Sequence, residues 1–176
     1  MTLIVLLRGI NLGSRNRIAM PALREALTDA GFDDVRTYLQ SGNVVLSSRA
    51  APAKVTRECA ALIAERFGLD VDVVVRTRDE LAEVVRRNPL GKVATDPKRY
   101  QVSFLSAKPA AEVVRKLEAL AVGGERLVAS GRELYAWHPR GVARSKLWAA
   151  LAGRGLGVTA TARNWTTVTK LLELAE

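Results

Sequence analysis

Apolar residues along the chain fall into two alternating kinds of segment: short aliphatic runs bounded by glycine, and longer stretches with apolar positions three or four apart. Leu3 to Arg8 is a run of the buried-strand type, followed by a loop with glycines at Gly9 and Gly13. Pro21 then stands where a helix start accepts proline, Leu23 and Leu27 are spaced i,i+4, and Gly31 marks the end. Val35 to Leu39 and Val44 to Ser47 flank Ser41-Gly42-Asn43, which predicts a hairpin with Gly42 in a left-handed conformation. A helix from about Ala53 to Phe67 has Val55, Cys59, Leu62 and Ile63 on one face and ends at Gly68, and Val71 to Val75 supplies a fourth strand.

The same order then recurs. Residues 77–98 form a linker with a short helix over about Asp79 to Arg87, stopped by Asn88-Pro89. Beyond it come a strand at Tyr100 to Leu105, a helix at Ala110 to Ala121, a hairpin of Arg126 to Ala129 with Glu133 to Trp137, and a helix at about Val142 to Ala152. A strand at about Val158 to Thr161 and a closing helix with Trp165, Val168, Leu171 and Leu172 on one face complete the chain. The expected fold is therefore α+β: two ferredoxin-like βαββαβ repeats with antiparallel sheets, over residues 1–76 and 99–176, the second followed by a C-terminal helix. In such a unit strands one and three are central, so Arg8 to Met20 should lie close to Gln40 to Asn43 although about 30 positions separate them.

Composition narrows the function classes. With 176 residues, 48% hydrophobic and 26% charged, the chain can build a packed core, and no stretch has the roughly 18 apolar residues of a membrane span. The apolar N-terminal run lacks a basic region before it and a cleavage site after it, so the expectation is a cytoplasmic protein with no membrane association. A lone cysteine, Cys59, and a lone histidine, His138, leave no disulfide and no zinc ligand set, and nothing calls for a cofactor or a metal. The net charge of +9 is uneven: Lys and Arg number 13 against 11 acids over residues 1–88, and 14 against 7 over residues 89–176. That excess suits anionic small molecules or nucleic acid, without choosing between them.

Three loops hold polar residues that turn chemistry does not fully account for. Arg8 to Arg17 joins a strand to a helix with two glycines, three arginines and no acid, a composition that can present N–H groups and guanidinium forks to a phosphate. It lacks the Gly-Lys-Ser/Thr ending of a Walker loop and the GxGxxG dinucleotide fingerprint. In the hairpin, Ser41, Gly42 and Asn43 suit a turn, and Gln40 is left over as an amide with donor and acceptor capacity. In the stretch from Thr159 to Thr167, Asn164 reads as a helix N-cap, Trp165 as a core anchor and Arg163 as a cation beside a helix N-terminus. Catalytic motifs are scarce: His138 has no Ser or Cys at a recognisable spacing, and Ser145-Lys146 are adjacent and diverge on a helix. Tyr135-Ala136-Trp137 does not match the aromatic signature of RNA-recognition domains.

Leu7-Arg8-Gly9-Ile10-Asn11, Thr37 to Val44, Arg144-Ser145-Lys146-Leu147 and Thr161 to Val168 together resemble the bacterial family known as domain of unknown function 1697, from the first strand to the last helix. Ser14 stands where the family often has a second glycine, and Thr166 where it often has asparagine. The resemblance implies Arg8, Asn11, Gln40, Ser41, Gly42, Asn43, Arg163, Asn164 and Lys170 as signature positions, and implies no established activity. The expectation is an anionic ligand, nucleotide-like or nucleic acid, in a cleft between the repeats, with Arg8 and Arg163 supplying charge and Asn11, Gln40 and Asn43 hydrogen bonds. A small enzyme acting on a phosphorylated metabolite and a purely structural role for the signature residues are the alternatives.

Overall fold

The computed structural model describes residues 1–176 and divides the chain into two compact units, Met1–Glu83 with Leu171–Glu176, and Val84–Lys170. The first unit contains β1 (Thr2–Leu7), α1 (Met20–Asp29), β2 (Asp33–Tyr38), β3 (Asn43–Ser47), α2 (Pro52–Phe67) and β4 (Val73–Thr77). These strands form an antiparallel sheet in the order β2-β3-β1-β4. Helix α3 (Arg78–Arg87) follows, and the unit boundary falls inside it. The second unit repeats the pattern with β5 (Tyr100–Leu105), α4 (Ala111–Leu120), β6 (Arg126–Ser130), β7 (Glu133–Trp137), α5 (Lys146–Ala152) and β8 (Ala160–Asn164), its sheet ordered β6-β7-β5-β8. Helix α6 (Trp165–Leu174) closes the chain. Both units are thus βαββαβ with strands one and three central, the ferredoxin-like arrangement expected from the element order.

The core explains the uninterrupted apolar runs. Leu3, Val5 and Leu7 of β1 pack with Val44, Leu46, Val73 and Val75 under α1 and α2, contributed through Leu23, Leu27, Val55, Cys59 and Ile63. Ile4 and Leu6 point to the opposite face and are buried as well, so β1 is apolar at every position instead of alternating. In the second unit Leu105, Leu134, Ala136 and Ala160 pack under α4 and α5, while Tyr100, Val102, Phe104, Tyr135 and Trp137 are buried on the other face. There Tyr100 stacks on Trp165 at 4.8 Å between centroids, and the Tyr135 hydroxyl donates to the Val84 carbonyl at 3.0 Å. With its aromatics covered, this sheet face offers no platform for stacking bases. The edge strand β2 carries a register irregularity between Asp33 and Arg36 and Asp34 at φ 51°, features that discourage pairing with another edge.

Two elements start later than the sequence pattern predicts. Helix α5 begins at Lys146 and not at Val142, because Gly141 adopts φ 81° and the Ser145 side chain accepts the Trp148 N–H, capping the helix there. Strand β8 runs to Asn164, because its ladder with β5 continues to the Gln101–Asn164 pair; Ala162 to Asn164, expected beyond the strand's end, are strand residues. No helix is long and apolar enough to cross a membrane.

Candidate functional site

The residues singled out in the first unit gather at one end of its sheet. The Leu7 N–H donates to the Gly42 carbonyl (2.9 Å) and the Arg8 N–H to the Asp72 carbonyl (3.0 Å), which fastens the end of β1 to the β2–β3 hairpin and to the approach to β4. Gly42, at φ 87°, is required on two counts: its conformation is left-handed, and an added Cβ would lie 2.7 Å from Leu7 Cβ. Asn11, at φ 53°, acts as a clasp. Its Nδ2 donates to the Ile18 carbonyl (2.9 Å) and the Gln40 carbonyl (2.7 Å), and its Oδ1 accepts the Ile18 N–H (2.9 Å). The expected approach of the β1–α1 loop to the hairpin is therefore real, and a side-chain amide holds it.

Over this clasp lies an open pocket of about 470 Å³ lined by Asn11, Arg17, Ile18, Ala19 and Gln40. Ala19 is the N-cap of α1, whose first turn has no side-chain cap and no acidic residue. Arg17 and Gln40 are exposed, and one Arg17 guanidinium nitrogen donates to the Gly13 carbonyl at 2.8 Å, which steadies the side chain and leaves its other donors to the pocket. Arg8 is half-buried and does not line the pocket. Ser41 is exposed and accepts from Asn43 Nδ2 at 2.9 Å; that amide also donates to the Tyr38 carbonyl, and Asn43 is wholly buried. Asn43 thus shapes the hairpin from inside.

The second unit reproduces this frame. The Leu105 N–H donates to the Arg132 carbonyl (2.9 Å) and the Ser106 N–H to the Thr159 carbonyl (2.8 Å), matching the two bonds after β1. A pocket of about 390 Å³ opens there, lined by residues that include Lys108 and Arg115, beside α4, whose N-cap Ala110 again provides no side-chain acceptor. The remaining signature residues lie elsewhere in the chain. Arg163, on β8, is 7% exposed and donates to Thr161 Oγ1 (2.7 Å) and the Ala162 carbonyl (2.8 Å). Loss of hydration pulls its guanidinium down to about 10, which leaves it charged at neutral pH. Asn164 Oδ1 accepts the Thr167 N–H at 2.9 Å, the capping role expected of it. Lys170 is half-buried on α6.

A family model described as Protein of unknown function (DUF1697) matches residues 1–135. The chain belongs to this family. A conserved bacterial protein from Streptococcus pneumoniae has a similar structure, with a TM-score of 0.81 and 20% identity over 99% of this chain and 98% of that one, a likeness of fold. No curated protein matches the sequence. The family match takes in Arg8, Asn11, Gln40, Ser41 and Asn43 and stops before Arg163, Asn164 and Lys170.

Sequence reasoning underweighted two features. Arg17, noted only as one of three loop arginines, is the cation that reaches the pocket; its place two residues before the α1 N-cap is the signal for it. In the second unit His138, set aside for want of a Ser neighbour, is fully buried with its Nδ1 at 2.5 Å from Glu125 Oε2, and Ser145 Oγ donates to the same oxygen at 2.5 Å. Separations of 13 and 7 positions across irregular loops give no periodic signal from which that cluster could be read.

Proposed function

We propose that this protein binds a small anionic molecule, of the phosphate-bearing class, in the pocket at the head of α1. The observation that carries the reading is the coincidence, in one depression, of the uncapped and acid-free α1 N-terminus, the Arg17 guanidinium and the Gln40 side chain. Pro21 in the first turn has no N–H, but the other backbone N–H groups of the α1 start carry partial positive charge and are oriented outward along the axis, so an anion gains there without rearrangement of the protein. Arginine adds a charge-assisted, two-pronged bond, and Gln40 supplies amide contacts that suit a nucleotide or a sugar phosphate. Asn11 and Asn43 serve as frame residues: their amides hold the loop and hairpin that form the walls. Arg8 contributes longer-range charge, and Arg163, buried among strand partners, is left out of the ligand contacts.

The test is a calorimetric titration of the full chain with inorganic phosphate, adenosine monophosphate and a short single-stranded RNA at several salt concentrations. The expected result is saturable binding of phosphate or the nucleotide, weakened about tenfold in Arg17→Ala. RNA binding whose log affinity falls steeply with log salt, with no response to the small anions, would make nucleic acid the partner instead. Binding of nothing, or binding unchanged by Arg17→Ala and Gln40→Ala, overturns the proposal.

A further inference from the structure

The second unit holds another pocket, of about 450 Å³, formed by the loop after α4 and the segment between β7 and α5. Its wall includes Val122, Gly123, Glu125, Arg140, Arg144 and Ser145. Both signs of charge meet here. Arg140 and Arg144 are exposed, and the Arg140 guanidinium lies over Gly123, about 4.0 Å from where a Cβ would stand. Glu125 contributes a carboxylate whose side chain is only 8% exposed.

The state of that carboxylate follows from its partners. Ser145 Oγ donates to Oε2, and His138 Nδ1 lies 2.5 Å from the same oxygen. His138 Nε2 is buried without any hydrogen-bond partner. A buried N–H lacking an acceptor costs more than a bare lone pair, so the hydrogen-bond network assigns the ring proton to Nδ1, which donates to an ionised Glu125. Burial opposes this charge, and the Ser145 and His138 hydrogen bonds, with the Val122 N–H, outweigh it, so the carboxyl is held below its usual range. These two donors saturate Oε2. Oε1 receives only the Val122 N–H, at 3.4 Å, and keeps acceptor capacity. Glu125 thus brings to the pocket a full negative charge that no arginine answers, beside two guanidinium groups.

From this arrangement we infer that the pocket takes a small zwitterion, a molecule with an ammonium group and a phosphate or carboxylate a few bonds away. The ammonium sits on Glu125 Oε1, the anionic end on Arg140 and Arg144, and the hydrocarbon spacer against Val122, which is 64% exposed. A simple anion would meet the Glu125 charge and a simple amine would meet two arginines; a ligand bearing both signs satisfies all three. His138 and Ser145 are positioning residues: their hydrogen bonds hold the carboxylate, and Ser145, though in the pocket wall, has its hydroxyl committed to Glu125 and the Trp148 N–H.

The experiment is an NMR chemical-shift titration of the full chain with O-phosphoethanolamine and β-alanine, against inorganic phosphate and ethylamine. The expected outcome is that at least one zwitterion perturbs Gly123, Glu125 and Gly141 saturably and binds about tenfold more tightly than either single-charge probe. Glu125→Gln should bring the zwitterion down to the affinity of its single-charge anion, and Arg144→Ala should weaken it about tenfold. Ala143→Leu, an exposed lining position outside the hydrogen-bond network, should block the pocket and keeps the test decisive if Glu125→Gln does not fold. Arg17→Ala should change nothing, which separates this site from the pocket at α1. The inference is overturned if phosphate binds as well as O-phosphoethanolamine, if Ala143→Leu leaves binding intact, or if no zwitterion saturates by about 10 mM, a concentration at which even weak contacts register.

Discussion

Single side chains decide whether the pocket at α1 exists. Asn11 replaces three backbone-to-backbone contacts that the irregular β1–α1 loop cannot make, and its left-handed conformation is one that asparagine tolerates better than most residues. Asn11→Ala is expected to lower unfolding free energy by about 2 kcal/mol, because the part-buried Ile18 N–H and carbonyl lose their partner and the loop loses its tie to the Gln40 carbonyl; urea denaturation measures it. Gly42→Ala should cost at least as much, about 2–3 kcal/mol, combining a left-handed backbone with a 2.7 Å clash against Leu7 that the core cannot relax. Cys59 illustrates a residue whose chemistry is suppressed by its setting. Burial, with a smaller contribution from Glu58, pushes its thiol up to about 12, so the thiolate is negligible at pH 8. Native protein is expected to resist alkylation by iodoacetamide at that pH and to react only after unfolding, as mass spectrometry would show. The hairpin's Gly42 was legible as a turn residue from its type alone, whereas Asn43, read as part of the turn, is the first residue of β3 and pairs with Tyr38. That Asn11 closes the turn against Gln40 was not legible, because a hydrogen bond across 29 positions has no local signature.

Among the elements, α5 shows how a cap and a charge network become one structure. Ser145 accepts the Trp148 N–H as N-cap and donates its own proton to Glu125, which also receives His138. The network ties the start of β6, the end of β7 and the head of α5. Ser145→Ala should therefore cost more than the roughly 1 kcal/mol of a lost cap, since it also removes a donor from a buried carboxylate. The pH dependence has a definite sign. The folded-state value of Glu125 lies below its unfolded value of about 4.3, so the network stabilises the fold fully above that pH and loses its contribution as pH falls through the folded-state value. Thermal denaturation between pH 5 and pH 3 should show a steeper acid-side loss in the wild type than in Glu125→Gln, each relative to its own stability at pH 7. Element type followed from periodicity nearly everywhere. The late start of α5 and the late end of β8 escaped it because Ser145 capping and β5 pairing override the apolar pattern.

Considered over the whole chain, each unit builds the same frame at the end of its first strand: two backbone bonds, a hairpin and an uncapped helix start. Binding at α1 should appear as a stability effect as well as a heat. Phosphate or nucleotide at about 100 times its dissociation constant is expected to stabilise the fold by about 2.7 kcal/mol, falling to about 1.4 kcal/mol in Arg17→Ala at the same concentration, and a thermal-shift assay follows it. The order of elements, the repetition of βαββαβ and the central placement of strands one and three were determined by the sequence alone, because apolar periodicity and glycine placement are local and the handedness of crossovers leaves few topologies. The meeting of Arg8–Met20 with the hairpin followed from that topology. Only the tertiary structure decided which polar residues face a pocket and which are consumed inside: Arg17 and Gln40 stay open, while Asn43 and Arg163 are buried against their own strands. It alone joined Glu125, His138 and Ser145. Exposure and long-range pairing depend on how strands twist and loops close over many residues, and no short window of sequence carries that information.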